Sequence, residues 1–128
     1  DTEVLTEGAA ILIHLAEAHG SALMPPAGMP RAKAMQWLGF ANSSLHPLYS
    51  RVFWMRALLK DEANGHPLME STLKSIQALW NHVESSLNPQ GYLLGETYIL
   101  AEILLTVIAN WSASYAIPAD FGPKTKTM

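Results

Sequence analysis

The 128-residue sequence predicts an all-α protein, and two observations carry the prediction. Apolar residues recur at three- and four-residue steps in four stretches, and none of these shows the sustained alternation of a strand. Prolines and glycines that stop a helix stand between the stretches. The first helix is expected over Ala9 to Ala18, closed by His19-Gly20 with glycine just past its end. Ahead of it, Glu3-Val4-Leu5 reads as the last residues of a strand. Leu23-Met24-Pro25-Pro26-Ala27-Gly28-Met29 is a connector, because two adjacent prolines and a glycine cannot continue a helix. Pro30 suits the first turn of a second helix that runs to about Lys60. Pro47 removes its bond to the Ser43 carbonyl and bends that helix. Asp61 to Pro67 reads as a polar turn around Asn64-Gly65. A third helix, Leu68 to Leu87, sets Leu73, Ile76, Leu79 or Trp80, Val83 and Leu87 on one face, and Asn88-Pro89-Gln90-Gly91 ends it. The fourth, Ile99 to Tyr115, is apolar nearly all round, as befits the middle of a bundle. Ile117 to Met128 reads as a loop that opens a further helix at Lys124.

The length suits one domain, and no internal repeat divides it. Eight basic and eleven acidic residues leave a net charge of −3, which argues against an electrostatic hold on nucleic acid or an anionic membrane. Without cysteine there is no disulfide, thiolate metal site or cysteine nucleophile. Ile99 to Ala109, the longest apolar run, carries Glu102 and reaches about half of the ~20 residues a bilayer span needs, so no membrane is expected as a partner. No signal peptide opens the chain, and a cytoplasmic location is the expectation. His14, His19, His66 and His82 show no zinc-ligand spacing, so no metal is expected. Only 15% of the residues are charged, against about 25% in an ordinary soluble domain, and the chain begins at Asp1; both suggest a section of something longer.

Three segments resemble the glutathione S-transferase superfamily, and its bacterial members in particular. Leu5-Thr6-Glu7-Gly8-Ala9-Ala10-Ile11 resembles the leucine-threonine-glutamate-serine-x-alanine-isoleucine run that ends the glutathione site of the thioredoxin-like domain. Arg31 to Leu38, continuing through Leu45-His46-Pro47, resembles the first long helix of the helical domain. Gly91 to Glu102 resembles the block that starts its central helix. The resemblance covers nearly the whole chain and implies a transferase-type C-terminal helical bundle over 31–128. A proline linker over 21–30 and a remnant of the thioredoxin-like domain over 1–20, a strand end plus one helix, would precede it. Most of the thioredoxin-like domain would lie before Asp1, and more helix after Met128. Two departures stand out. The family's capping-box threonine is Ile99 here, which leaves only Glu102 of that box and costs about 1 kcal/mol unless Thr97 substitutes. The serine of the first run is Gly8.

By resemblance, Glu7 faces the γ-glutamyl ammonium of glutathione and the Gly8 N–H its carboxylate. A helix start favours an anion through its unpaired N–H groups and dipole. The plainer alternative is that Thr6 and Glu7 only cap a helix. Asn42, His46, Tyr49 and Phe53 follow at steps of four, three and four, which keeps all four on one stripe. In the family this stripe looks onto the pocket for a hydrophobic electrophile, and Trp111 resembles a position near that pocket. Packing alone would equally explain Tyr49 and Phe53, with His46 a satisfied histidine beside a bend. Residues 31–60 carry Arg31, Lys33, Arg51, Arg56 and Lys60 and no acid. This basic stretch would attract glutathione or meet a second subunit in the family's usual homodimer, Arg51 and Arg56 being the better candidates; a solvated helix face is the duller option. The residue that activates the glutathione thiolate lies, in the family, outside this sequence. The resemblance thus implies a transferase acting on glutathione and an electrophile in its full-length form. A non-catalytic helical binding or association module and an unrelated bundle are the alternatives.

Overall fold

The computed structural model describes residues 3–128, and among them all regular structure is helical. Helix α1 spans Gly8–Ala18, α2 Met29–Phe40, α3 His46–Leu59, α4 Pro67–Ser86, α5 Leu100–Ser114 and α6 Pro123–Thr127. Residues 3–6 are irregular, which corrects the expected strand end. A strand needs a partner ladder, and none of the described residues supplies one.

The helix expected from Pro30 to Lys60 is helical throughout from Met29 to Leu59, but it widens over Ala41–Leu45 between α2 and α3. The His46 N–H reaches back five residues to the Ala41 carbonyl. Pro47 explains the widening: it has no N–H, and its ring crowds the carbonyl four residues before it, so the helix opens by one residue. The widening therefore falls in the turn before the proline. The expected polar turn after α3 is also partly helical, since Lys60–Ala63 forms a 3₁₀ turn that buries Ala63. His66 then caps α4, its Nδ1 accepting from the Leu68 N–H at 3.2 Å.

The core lies between α2, α3, α4 and α5. From α4 it takes Met69, Thr72, Ile76, Trp80 and Val83, and from α5 Leu100, Ala101, Glu102, Leu105, Ile108 and Ser112. Of the face expected on α4, Leu73 is only half-buried. A polar relay ties three helices together: the Trp80 indole donates to the Tyr49 hydroxyl at 2.8 Å, and that hydroxyl lies 2.6 Å from the Ser112 Oγ. Helix α5 is not covered all round, because Ile103 and Val107 remain 41% and 45% exposed.

The start of α5 is secured without a hydroxyl cap. No hydroxyl caps it, so Thr97 does not substitute for the missing threonine. Ile99 has no acceptor, and only the return half of the box forms, the Ile99 N–H donating to Glu102 Oε2 at 2.9 Å. The other Glu102 oxygen accepts from the Leu93 N–H at 2.8 Å, and the Leu100 N–H donates to the Leu23 carbonyl in the proline connector. At the other end of the chain, Glu84 accepts from the N–H groups of Lys124 and Thr125, capping α6 from α4.

Candidate functional site

Trp111 of α5 is the centre of the expected site. His46 lies 5.3 Å from it centroid to centroid, Phe53 6.0 Å and Tyr49 6.1 Å, so α3 presents three rings to one indole. Phe53 also meets Tyr115 edge to face at 5.0 Å. Such tilted and edge-on pairs place the positive ring edge on the negative face. His46, Phe53 and Trp111 are half-buried, with one side in the bundle and one side open. Tyr49 differs, being fully buried with its hydroxyl engaged by Trp80 and Ser112, so it backs the wall rather than lining it. Burial pushes its pKa up despite those two hydrogen bonds. Asn42 stands one turn ahead of His46, in the wide turn, and is half-buried.

Arg56 has a structural task that the charge pattern did not reveal. Its guanidinium donates to the carbonyls of Tyr115 at 2.5 Å and Ala116 at 2.9 Å, closing the C-terminal end of α5. A cation suits the negative end of a helix dipole. It thereby ties the end of α5, and Tyr115 with it, to α3. Arg31 is likewise engaged, with Glu17 of α1 at 2.7 Å and with the Pro25 carbonyl. Ser112 was missed by sequence reasoning, and so was the contact that Arg56 makes. Their partners lie 63 and 59 residues away in the chain, which no local periodicity encodes.

Glu7 and Gly8 stand on a separate element, at the start of α1. Glu7 holds φ 68°, ψ 115°, and its side chain makes no capping bond. A non-glycine residue with φ in this range carries strain of about 1–3 kcal/mol, an outlier of the kind that clusters at functional sites. The first backbone bond of the helix runs from the Ile11 N–H to the Glu7 carbonyl at 3.0 Å, so the N–H groups of Gly8, Ala9 and Ala10 precede it and have no intrahelical partner. A Cβ added at Gly8 would meet nothing within 4 Å. No three histidine, aspartate or glutamate side chains among the described residues gather as metal ligands. Nor is any helix there long and apolar enough to cross a membrane.

No family model matches the chain. The glutathione S-transferase GST-4.5 of Xanthomonas campestris pv. campestris is 28% identical over 114 residues, which are 88% of this chain and 56% of that protein. A solved bacterial glutathione S-transferase, BphK in a ternary complex, matches the fold with a TM-score of 0.72 at 30% identity, over 91% of this chain and 56% of that one. Together the two matches support a fragment of the glutathione S-transferase superfamily. It spans about half the length of these relatives, and its helices correspond to a transferase helical domain.

Proposed function

We propose that, in its full-length form, this transferase joins the thiol of glutathione to hydrophobic electrophiles, and that this chain supplies the electrophile-facing half. The half-buried Trp111 surrounded by α3 rings carries the reading. In this role His46, Phe53 and Trp111 form an apolar wall with one imidazole that hydrogen-bonds a polar group of the electrophile. Asn42 extends the wall and Tyr49 supports it from behind. Residues 1–20 are the end of a thioredoxin-like domain, 21–30 a linker and 31–128 the helical domain. Glu7 meets the ammonium of the glutathione γ-glutamyl group and the Gly8 N–H its carboxylate, the helix start having free donors for an anion. Thiolate activation is not assigned to Tyr49, whose hydroxyl is buried and whose pKa is raised rather than lowered. The protein acts as a cytoplasmic homodimer in this proposal, and the exposed Trp54 and Leu58 on α3 offer apolar surface for a second subunit.

Gly8 favours a second reading, a non-catalytic binding or association module, because it lacks the hydroxyl that would strengthen carboxylate binding. Retention of the full-length protein on glutathione-agarose, combined with turnover of a model electrophile, separates the two. Retention with turnover is the expected result, and retention without turnover supports the module. Failure to bind at all sinks both glutathione-based readings. The site at Gly8 is open, so Gly8→Ser adds a hydroxyl without displacing a neighbour. A charge-assisted hydrogen bond of roughly 1.5–3 kcal/mol should then raise glutathione affinity at least tenfold.

A further inference from the structure

The carbonyl end of α5 holds a conformation that its sequence does not favour. Ala116, just past the helix, has φ 49°, in the left-handed region where glycine usually ends a helix. The backbone bonds of such an ending are both present: the Ile117 N–H donates to the Ser112 carbonyl at 2.9 Å, and the Ala116 N–H to the Ala113 carbonyl at 3.5 Å. Alanine is strained there by its Cβ, so a further contact must offset what glycine would avoid.

Arg56 supplies that contact. It stands half-buried on α3, and two different nitrogens of its guanidinium donate to the carbonyls of Tyr115 and Ala116. Neither carbonyl accepts from another backbone N–H among the described residues, and Arg56 forms no ion pair there. The fork therefore spans the two residues at which the helix turns off, one of them the strained alanine.

This end of α5 carries a ring of the aromatic cluster. Tyr115 is 54% exposed, and its aromatic partner is Phe53, edge to face at 5.0 Å. Phe53 in turn meets Trp111 at 6.0 Å. The last turn of α5 is thus held differently on its two sides. Ser112, on the buried side, is fixed by the Tyr49 hydroxyl, whereas Tyr115, on the open side, is fixed through its backbone by Arg56.

We propose that Arg56 is a positioning residue for electrophile binding: by holding Tyr115 and Ala116 it keeps the Tyr115 ring against Phe53, and Phe53 against Trp111. This rests on the reading of the Trp111 wall as the seat of the electrophile. Arg56 acts through Tyr115 and touches neither substrate. Without it Ala116 leaves the left-handed region, Tyr115 parts from Phe53, and the wall becomes ordered only as the electrophile binds. The cost then falls on the electrophile and not on glutathione. Positive charge alone does not suffice, because an ammonium is a single point charge and lacks the planar fork that spans two carbonyls.

The test is conjugation of 1-chloro-2,4-dinitrobenzene by the full-length protein, in which the glutathione sulfur bonds to the ring carbon and chloride leaves. Arg56→Met should raise the KM for this electrophile roughly three- to tenfold, the effect of ordering one more side chain on binding, with the glutathione KM within about twofold of wild type. Tyr115→Ala, at an exposed site that leaves the fold intact, should have the same effect. The double variant should be no worse than Tyr115→Ala, since both changes act through one ring. Arg56→Lys should fall between wild type and Arg56→Met. Wild-type electrophile KM in Arg56→Met, alongside a raised one in Trp111→Ala, would overturn the positioning role alone. Additive effects of Arg56→Met and Tyr115→Ala would do so too, as would a raised glutathione KM that Arg56→Lys fully restores, which would make Arg56 a charge for the anion. No turnover at all, or a wild-type electrophile KM in Trp111→Ala, would instead end the reading of the wall, and the role of Arg56 with it.

Discussion

Two regions of the chain are built on different principles. Between α3, α4 and α5, large side chains are fully covered and their polar atoms are paired, as in the Trp80–Tyr49–Ser112 relay. Helix α1 buries only Ala16; Ile11 and Leu15 are 37% and 49% exposed, and one surface ion pair, Arg31 with Glu17, joins it to α2. The bundle is thus specified by its own contacts, whereas α1 keeps free N–H groups and a strained residue at its start. The contrast shows where stability and ligand chemistry separate: a satisfied group such as the Tyr49 hydroxyl holds the fold, and unsatisfied groups such as those at Gly8 are available to something else.

Substitutions that empty the relay should separate the regions most sharply. Tyr49→Ala is expected to cost about 3–5 kcal/mol in urea unfolding, the range for removing a buried aromatic ring. Tyr49→Phe keeps the ring but strands the Trp80 and Ser112 partners, for about 1–3 kcal/mol. Glu102→Gln comes next, also at about 1–3 kcal/mol, because its amide can accept from only one of the Leu93 and Ile99 N–H groups. Arg56→Met should cost about 1 kcal/mol and loosen the end of α5, seen as faster amide exchange near Tyr115. At the low end, Glu17→Ala should cost about 0.2–1 kcal/mol, and amide exchange should rise in α1 while the bundle stays protected. If that variant instead lowered protection in α4, the two regions would be a single cooperative unit.

Two carboxylates give opposite pH signatures. Burial raises the pKa of Glu102 against the backbone N–H bonds that lower it, so its contribution favours folding at low pH and declines as pH rises through the raised value. For Glu84, desolvation acts upward, but the Thr125 and Lys124 donors together hold the pKa below the ordinary value. Its contribution is present above the ordinary glutamate pKa of about 4.3 and is lost as pH falls through the lowered one. Stability measured against pH should therefore rise, relative to wild type, toward neutral pH in an isosteric variant of Glu102 that removes its titration, and Glu84→Gln should flatten the acid limb. A Glu84→Gln profile parallel to wild type below pH 4 would remove its role in holding α6.

Much of this was legible in the sequence where a local rule applied. Helix ends marked by Gly20, Pro30 and Pro67 fell within a residue or two of the observed ones, because capping and proline chemistry act over a single turn. The stripe of His46, Tyr49 and Phe53 beside Trp111 followed from helical spacing together with the family resemblance. Periodicity could not show that the helix widens before Pro47, or that Glu3-Val4-Leu5 takes no strand geometry, since each depends on how neighbouring backbone is bonded. Nor could it show Arg56 closing α5 or Leu23 capping its start, contacts between segments far apart in the chain. Hydrophobic spacing gives the face of a helix; which face stays open, as at Ile103 and Val107, depends on what the other helices cover.

The central claim is that the Trp111 wall receives the electrophile, and conjugation kinetics of the full-length protein with Trp111→Ala test it most directly. The KM for a hydrophobic electrophile should rise at least tenfold, with the KM for glutathione within twofold of wild type. An unchanged electrophile KM, or an equal rise in both, would contradict it.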